Sequence, residues 1–322
     1  MCNEINILVV MKMEEKHKLQ LMETAPLANF IFDDTGLVSD ATLADMDIII
    51  GNLPKEKLNI AKNLKWLQLN SAGADVYVKE GVLPEGVILT NATGAYGLAI
   101  SEHMLGVLLE LLKKLNLYRD NQRENIWKDE GEVRSIYGST VLVVGLGDIG
   151  SEFAKRIKAL GGYTIGIRRS DTRKPEFIDE LYLMDKLDEV LGRADVVALT
   201  LPQTKDTYKL FNKDRLLKMK KGAVLLNVGR GTVIDTDALY EVLQEDYLFG
   251  AAIDVTDPEP LPSAHNLWDL KNVIITPHIS GDYHLRETHN RIVNIAAENL
   301  KAYLKGEELK NIVDLSTGYR RL

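Results

Sequence analysis

The stretch that decides the fold is VVGLGDIG, Val143–Gly150, in which Gly145, Gly147 and Gly150 have the spacing G-x-G-x-x-G. It follows an apolar run and opens a segment of helical pattern, from about Ile149 to Leu160. In such a strand–turn–helix unit the first glycine allows a tight turn and the second lets the backbone approach a pyrophosphate. The third lets the helix pack closely on the strand, with the phosphates at the helix N-terminus. This context favours a dinucleotide-binding loop over a glycine-rich turn without a ligand.

The rest of the second half repeats the same alternation of apolar and helical segments. After VLVVG come YTIGI, ADVVALTL, GAVLLNVG, FGAAIDV and NVIITP, each separated from the next by a helix- or loop-compatible stretch. Such a series predicts a doubly wound parallel sheet over Thr140–Ile279. Within the glycine loop, the backbone of Asp148, rather than its side chain, is expected to face the phosphates.

The first third of the chain predicts another α/β domain. Short apolar runs at Ile5–Val10, Ala28–Phe32, Met46–Ile50 and Leu64–Asn70 indicate a parallel sheet with crossovers, and Met11–Met22 is compatible with a helix.

Three further segments set the predicted domain boundaries. Gly97–Leu115 is a long helical pattern, Tyr118–Ser135 with Trp127 is typical of an extended arm, and Arg286–Gly306 is a helix predicted to return to the first domain. We therefore predict one discontinuous domain, residues 1–96 and 286–322, and a second domain, residues 97–285.

Composition and charge limit the classes of function. Of 322 residues, 45% are hydrophobic and 27% charged, which is ordinary for a globular protein. The net charge of -8 disfavours nucleic acid and anionic membranes as partners. The single cysteine, Cys2, cannot form a disulfide framework and is expected to be mobile. With no signal peptide and no apolar run of about 18 residues, we expect a cytoplasmic protein.

Several motifs in fixed order carry a family resemblance. They are NATGAYGLAISEH (Asn91–His103), LPQTKDT (Leu201–Thr207), NVGRGTVID (Asn227–Asp235), AIDVTDPEPLP (Ala252–Pro262) and TPHISG (Thr276–Gly281). With the glycine loop, they resemble the D-2-hydroxyacid dehydrogenase family, of the glyoxylate/hydroxypyruvate reductase kind, over nearly the whole chain. The resemblance implies a homodimer whose subunits pair a Rossmann cofactor domain with a smaller flavodoxin-like substrate domain, with the substrate in the cleft between them.

The same resemblance implies site residues. It carries a catalytic arginine onto Arg230, a glutamate onto Glu259 and a histidine onto His278. The implied cofactor contacts are Gly145, Gly147, Asp148, Ile149, Gly150, Leu201, Pro202, Thr207, Val228, Gly229, Arg230, Asp254, His278 and Gly281.

The chemistry of the three catalytic candidates is consistent with keto-acid reduction. His278 has a side chain whose ordinary pKa of about 6.5 suits a proton donor near neutral pH. Glu259 would favour the imidazolium and fix its tautomer, and Arg230 offers a planar fork for a carboxylate or a developing oxyanion. The alternatives are a solvated turn arginine, an exposed loop acid and a structural histidine. Of the other histidines, His103 is interpreted as a packing or helix-pairing residue, and the rest as surface or rim residues: His17, His265, His284 and His289. No cluster has metal-ligand spacing, so no metal is predicted.

The substrate side is predicted from two loops. NSAGAD, Asn70–Asp75, matches the family's carboxylate-binding loop, in which small residues expose backbone N–H groups; the alternative is a plain tight turn. Neither this loop nor Gly51–Leu53 carries a lysine or arginine, which favours unphosphorylated acids such as glyoxylate or hydroxypyruvate. Tyr96 is as consistent with a core residue as with one that lines the cleft. The predicted substrate contacts are Asn52, Ala72, Gly73, Ala74, Tyr96, Arg230 and His278.

Two arginines predict which cofactor is preferred. TIGIRRS, Thr164–Ser170, places Arg168, Arg169 and Ser170 about 20 residues after the glycine loop, where an acid would accept hydrogen bonds from a free ribose diol. Arginines and a hydroxyl instead suit a 2′-phosphate, so NADP(H) is predicted over NAD(H). The alternative is a solvated basic loop that leaves NAD(H) possible.

The sequence thus predicts an NADPH-preferring reductase that converts a small 2-keto acid to the D-2-hydroxy acid. Two rivals remain open. One is a phosphoglycerate dehydrogenase-like enzyme. The other is a binding protein on the same fold that senses cofactor occupancy, as co-repressors resembling this family do.

Overall fold

The computed structural model describes residues 5–35, 37–170, 173–282 and 284–321, so Cys2 lies outside the described residues. The chain folds into two compact units. The first comprises Met1–Tyr96 with Tyr283–Leu322, and the second Gly97–Asp282. The assignment of substrate to one unit and cofactor to the other stays a prediction.

The first unit is built on a five-stranded parallel sheet in the order β2-β1-β3-β4-β5. Its strands are β1 (Asn6–Val9), β2 (Asn29–Phe32), β3 (Ile48–Ile50), β4 (Trp66–Gln68) and β5 (Ile88–Thr90). Its helices are α1 (Glu15–Thr24), α2 (Asp40–Ala44), α3 (Lys55–Leu58) and α10 (Arg286–Lys305). The central strand β3 is all isoleucine and fully buried because helices and loops cover both faces of the sheet. At the outer side of β5, Ile312 pairs with Thr90 in an antiparallel bridge.

The second unit is built on a seven-stranded parallel sheet in the order β12-β11-β10-β9-β6-β7-β8. Its strands are β6 (Thr140–Val144), β7 (Tyr163–Arg168), β8 (Glu180–Leu183), β9 (Val196–Leu199), β10 (Val224–Asn227), β11 (Gly250–Ile253) and β12 (Val273–Ile275). Its helices are α4 (Gly97–Leu112), α5 (Leu115–Arg123), α6 (Asp148–Ala159), α7 (Leu187–Leu191), α8 (Lys213–Leu216) and α9 (Thr236–Gln244). The strand order reverses between β6 and β9, which is where such sheets bind dinucleotides. The predicted α/β class with a doubly wound sheet is confirmed.

The structure corrects one sequence prediction and adds two strands. The stretch Tyr118–Ser135, predicted to be an extended arm, begins within helix α5, which runs to Arg123. Lys114, with a left-handed φ of 56°, separates α5 from the helix before it. Helix α5 is polar overall and none of its residues is buried, so its sequence resembles an exposed arm. Strands β5 and β8 were not predicted. The edge strand β8 is only half-buried, which weakens its apolar pattern.

Membrane-spanning helices were not expected from the sequence. No helix among the described residues has the length and apolarity that a membrane crossing requires.

A histidine pair joins α1 to α10 in the first unit. His17, predicted to be at the surface, is only 2% exposed because its face of α1 packs on α10, where its Nε2 lies 2.9 Å from Asn290 Oδ1. Its ring meets that of His289 edge-on, with centroids 4.6 Å apart. Burial, and then the neighbouring His17, hold the pKa of His289 below its ordinary value of 6.5, since both oppose a charged imidazolium.

This lowered pKa predicts acid sensitivity. The pKa of His289 is lower in the folded than in the unfolded state, so its contribution to stability is fully present only above the unfolded-state pKa. That contribution is lost as the pH falls from the unfolded-state pKa through the folded-state pKa. We therefore expect Tm to fall from about pH 7.5 to about pH 5, and to fall less in His289→Gln. Thermal unfolding monitored by circular dichroism measures the difference. The control is His284→Gln, at an exposed histidine just before the same helix; an equal change in both variants contradicts the assignment.

Candidate active site

The glycine loop between β6 and α6 has one open face. Gly145 has φ +104°, and a Cβ there would lie 3.0 Å from Thr200 Oγ1. A Cβ on Gly150 would lie 2.1 Å from the carbonyl oxygen of Gly145, so a side chain at this position would collide with the loop itself. Gly147 is different, since nothing lies within 4 Å of its virtual Cβ. The loop therefore packs tightly at its first and third glycines and leaves clear space at the second, which fits a pyrophosphate at the N-terminus of α6.

The side chain of Asp148 is turned away from this open face. Its Oδ2 accepts a hydrogen bond of 2.8 Å from the backbone N–H of Gly97, the first residue of α4. A Cβ on Gly97 would meet the same carboxylate at 2.6 Å, so glycine is needed for this approach. The contact caps α4 with a carboxylate, which is favourable at the positive end of a helix. That the backbone of Asp148 meets a phosphate stays a prediction.

The loop is fixed beside the end of β7, where the two arginines begin. The backbone N–H groups of Gly145 and Leu146 both donate to the carbonyl oxygen of Ile167, at 3.0 and 3.3 Å. Arg168 follows directly and is half-buried, whereas Arg169 and Ser170 are exposed. The groups predicted to recognise a 2′-phosphate thus adjoin the loop predicted to hold the pyrophosphate.

The loop after β9 completes the same edge of the sheet. Thr207 is buried, and its hydroxyl donates to the carbonyl oxygen of Pro202 and accepts from Thr204 N–H, both at 2.8 Å. A Cβ on Gly229 would lie 2.4 Å from the carbonyl oxygen of Leu201. Thr207 therefore shapes this loop internally, and Gly229 lets the next loop pack against it. Val228 beside it is buried, and Gly281 is half-buried.

The three predicted catalytic residues follow three neighbouring strands. Arg230 comes three residues after β10, Glu259 six after β11 and His278 three after β12. Because parallel strands end at one edge of the sheet, their loops converge there. His278 Nδ1 lies 2.6 Å from Glu259 Oε1, and both side chains are about half-exposed. With Nδ1 held by a carboxylate, Nε2 is the ring nitrogen available to exchange a proton with a substrate.

The backbone of His278 is unusual and is held by Asp254. His278 has φ +53°, a conformation that few residues other than glycine adopt. The buried carboxylate of Asp254 accepts from the hydroxyl groups of Thr276 and Ser280, each at 2.5 Å, and from the N–H groups of Ile279 and Ser280 at 3.0 and 3.1 Å. Asp254 thereby fixes the loop around His278. A direct contact of Asp254 with the cofactor stays a prediction.

A second residue of α4 reaches this loop. His103 Nε2 lies 3.3 Å from Thr276 Oγ1, which itself donates to Asp254. His103, predicted to be a packing residue, thus contacts the support of His278.

Arg230 is held by a side chain that the sequence did not single out. Asn227 accepts from Gly229 N–H through Oδ1 and donates to the carbonyl oxygen of Arg230 through Nδ2, both at 3.1 Å. Arg230 Nη1 donates to the carbonyl oxygen of Gly229 at 2.8 Å. A Cβ on Gly231 would lie 1.9 Å from the carbonyl oxygen of Thr256, so this loop requires a glycine on that side. An asparagine that bonds two residues ahead is an Asx turn, and the Asn-x-Gly pattern is the signal that indicates it.

In the first unit, two predicted substrate residues hold the Asn70–Asp75 loop. The side-chain oxygen of Asn52 accepts from Asn70 N–H at 3.2 Å, and the Tyr96 hydroxyl donates to the carbonyl oxygen of Asn70. Asn52 is exposed and Tyr96 is buried. Both side chains therefore contact the loop that is predicted to bind the substrate, and their contact with the substrate stays a prediction.

Comparison with known proteins decides the family. Residues 105–280, more than half of the chain, match the model of the D-isomer specific 2-hydroxyacid dehydrogenase NAD-binding domain. The chain belongs to the D-isomer-specific 2-hydroxyacid dehydrogenase family. It is therefore an NAD(P)-dependent dehydrogenase, and the predicted family is confirmed.

Among its relatives, a glyoxylate reductase of Thermofilum pendens is 34% identical over 269 residues, which cover 81% of this chain and 78% of that protein. A D-3-phosphoglycerate dehydrogenase of Methanocaldococcus jannaschii is 31% identical over 87% of this chain but only 55% of its own length. The structure of an NADPH-dependent glyoxylate/hydroxypyruvate reductase of Sinorhizobium meliloti, in complex with NADP and sulfate, matches with a TM-score of 0.84 and 26% identity. That match covers 98% of this chain and 100% of that one.

Within residues 5–35, 37–170, 173–282 and 284–321, no three histidine, cysteine, aspartate or glutamate side chains form a group that would hold a metal ion.

The contrast between two glycines of the dehydrogenase loop gives a matched test. Gly147→Ala adds a methyl group to open space at a φ of -78°, so Tm should stay within about 1 °C of wild type. The methyl group occupies the space that a pyrophosphate needs, so the Kd for NADPH should rise about tenfold. Gly150→Ala should instead lower Tm by about 3 °C or more, because its Cβ collides with backbone. Thermal unfolding and fluorescence titration measure the two quantities; unaltered NADPH affinity in Gly147→Ala contradicts the assignment.

Proposed function

We propose that the protein reduces a small unphosphorylated 2-keto acid, such as glyoxylate or hydroxypyruvate, to the D-2-hydroxy acid, with NADPH preferred over NADH. The observation that carries this proposal is the 2.6 Å hydrogen bond between His278 and Glu259, at the sheet edge where Arg230 also follows a strand. The glyoxylate reductase relatives support the substrate class.

The chemistry is divided among three side chains and the cofactor. When the cofactor is bound, its reduced nicotinamide supplies the hydride for carbon 2 of the keto acid. His278 donates the proton from Nε2 to the carbonyl oxygen, because Glu259 at Nδ1 stabilises the imidazolium and fixes the ring. The guanidinium of Arg230 stabilises the negative charge that develops on that oxygen. In the oxidative direction His278 accepts the proton instead.

The substrate carboxylate is assigned to the Asn70–Asp75 loop. Ala72, Gly73 and Ala74 present backbone N–H groups, and their small side chains leave access to them. Neither this loop nor Gly51–Leu53 supplies a cation for a phosphate group. The lack of a lysine or arginine in these two loops disfavours phosphoglycerate as a substrate, although phosphoglycerate dehydrogenases are among the relatives.

The proposed reaction is tested by measuring the enzyme's turnover of a panel of keto acids. Glyoxylate and hydroxypyruvate should be reduced with a higher kcat/KM than 3-phosphohydroxypyruvate, measured by loss of NADPH absorbance. His278→Ala should lower kcat by about 10²- to 10⁴-fold, the usual contribution of a positioned general acid. The Kd of NADPH in the same variant serves as the control for folding and cofactor binding. Activity that survives the substitution would show that another group donates the proton.

Cofactor selectivity is tested at the end of β7. With glyoxylate, kcat/KM should be higher with NADPH than with NADH, because the guanidinium groups of Arg168 and Arg169 attract a 2′-phosphate. Arg168→Asp should lower kcat/KM for NADPH by about 10- to 100-fold, the loss of one hydrogen bond between charged groups, and should leave the value for NADH nearly unchanged. Arg169→Asp is the matched variant at the exposed neighbour. Equal or better use of NADH by the wild type contradicts the preference.

The homodimer and the cytoplasmic location predicted above stay predictions.

A further inference from the structure

The loop from Asn70 to Gly73 has every backbone carbonyl occupied from within its own unit. The Tyr96 hydroxyl donates to the carbonyl oxygen of Asn70, and the Ala92 N–H donates to that of Ser71 at 2.9 Å. Asn91 Nδ2 donates to the carbonyl oxygen of Ala72, and Ser71 Oγ donates to that of Gly73, both at 2.7 Å. By contrast, the backbone N–H groups of Ala72, Gly73 and Ala74 make no hydrogen bond to any residue that the structure describes. The carbonyls are thus held on one side, and the N–H groups are left for an anion.

Asn91 is the side chain that fixes the middle of this loop. It is 5% exposed, and both ends of its amide are used, with Nδ2 on the carbonyl oxygen of Ala72 and Oδ1 accepting from Thr93 N–H at 3.1 Å. The two contacts determine which end of the amide is nitrogen. Because the carbonyl of Ala72 and the N–H of Gly73 belong to one peptide plane, holding the first fixes the direction of the second.

Asn91 is itself held by the C-terminal segment. Asn311 donates through Nδ2 to the carbonyl oxygens of Thr93 and Asn91, at 2.8 and 3.3 Å, and its own carbonyl oxygen accepts from Asn91 N–H at 3.2 Å. Asn311 adopts φ +58°, a region that asparagine tolerates better than most residues.

The anchor continues into α10. The fully buried Asn299 bonds the backbone of Lys310 through both ends of its amide, at 2.7 and 3.0 Å. A continuous set of hydrogen bonds therefore joins the return helix to the loop.

We propose that Asn91, with Asn311 behind it, is a positioning residue that aims the backbone N–H groups of Ala72–Ala74 at the carboxylate of the keto acid. The inference rests on the proposed function, because it assigns that carboxylate to this loop. In this arrangement the C-terminal segment contributes to substrate affinity although neither asparagine touches the reacting atoms. The loop contributes to the binding of the carboxylate in ground state and transition state alike, so its loss raises KM more than it lowers kcat.

Asn91→Asp is the sharpest variant. Aspartate keeps the size of the side chain and the acceptor for Thr93 N–H, but it places an oxygen against the carbonyl of Ala72. We expect KM for glyoxylate and for hydroxypyruvate to rise about tenfold, with kcat changed less than about twofold. The Kd of NADPH, from fluorescence titration, should not change.

The matched control is Asn272→Asp in the second unit. Asn272 Nδ2 also donates to a backbone carbonyl, that of Leu243 at 3.2 Å, so the substitution makes the same chemical change away from the loop. It should lower Tm without changing KM. Should Asn91→Asp fail to fold, Asn311→Gly carries the test, because glycine accepts the positive φ and only the side-chain amide is lost. This variant should raise KM in the same direction.

The outcomes distinguish this inference from the proposed function. Wild-type protein that reduces neither acid overturns the proposed function and this inference with it. Wild-type turnover together with an unchanged KM in Asn91→Asp, or in Asn311→Gly where that variant replaces it, overturns this inference alone. A rise in KM equal to that of Asn272→Asp also overturns it, because the effect would then reflect general destabilisation.

Discussion

The buried carboxylate of Asp254 is the constraint on which the predicted catalytic edge depends. Four donors from residues 276–280 converge on its two oxygens, and its own backbone carbonyl accepts from His278 N–H at 2.8 Å. A buried carboxylate needs such partners, since a charge without them is costly to remove from water. The same partners over-determine the loop and so hold His278 at a positive φ that it would not adopt in a free chain. The hydrogen bonds that satisfy the buried Asp254 carboxylate therefore also fix the position of the His278 imidazole.

The two loops that carry the other predicted site residues are held in a comparable way, but by neutral amides. Asn227 closes the turn that presents Arg230, and Asn91 closes the turn beside the Asn70–Asp75 loop. Both are Asx turns that also reach a second backbone group. Neutral amides suit these positions because they satisfy donors and acceptors together without adding a charge next to the predicted anion sites. Rigid loops of this kind limit the conformational entropy that is lost on binding.

The features that the sequence predicts correctly are local. The G-x-G-x-x-G spacing indicates strand, turn and helix because each glycine is needed for contacts among eight consecutive residues. Buried parallel strands are recognised as short apolar runs. Helix α5 was missed because none of its residues is buried, and His17 was misplaced because its burial depends on α10, more than 260 residues later. The role proposed for Asn91 likewise depends on Ala72 and Asn311, which spacing along the chain does not bring together. The partner of the Asp148 side chain, Gly97 at the start of α4, is likewise distant, because it lies 51 residues away along the chain.

The empty space beside Gly147 has a consequence for how variants of this protein are screened. Folding places no steric demand on that position, whereas the neighbouring glycines of the same loop are enclosed by backbone and side chains. A library sorted by expression level, protease resistance or heat tolerance would therefore retain many substitutions at residue 147 and discard those at residue 150. Well-folded chains that have lost their cofactor would pass through such a selection unnoticed. For this enzyme family a screen for folding needs a separate readout of cofactor occupancy.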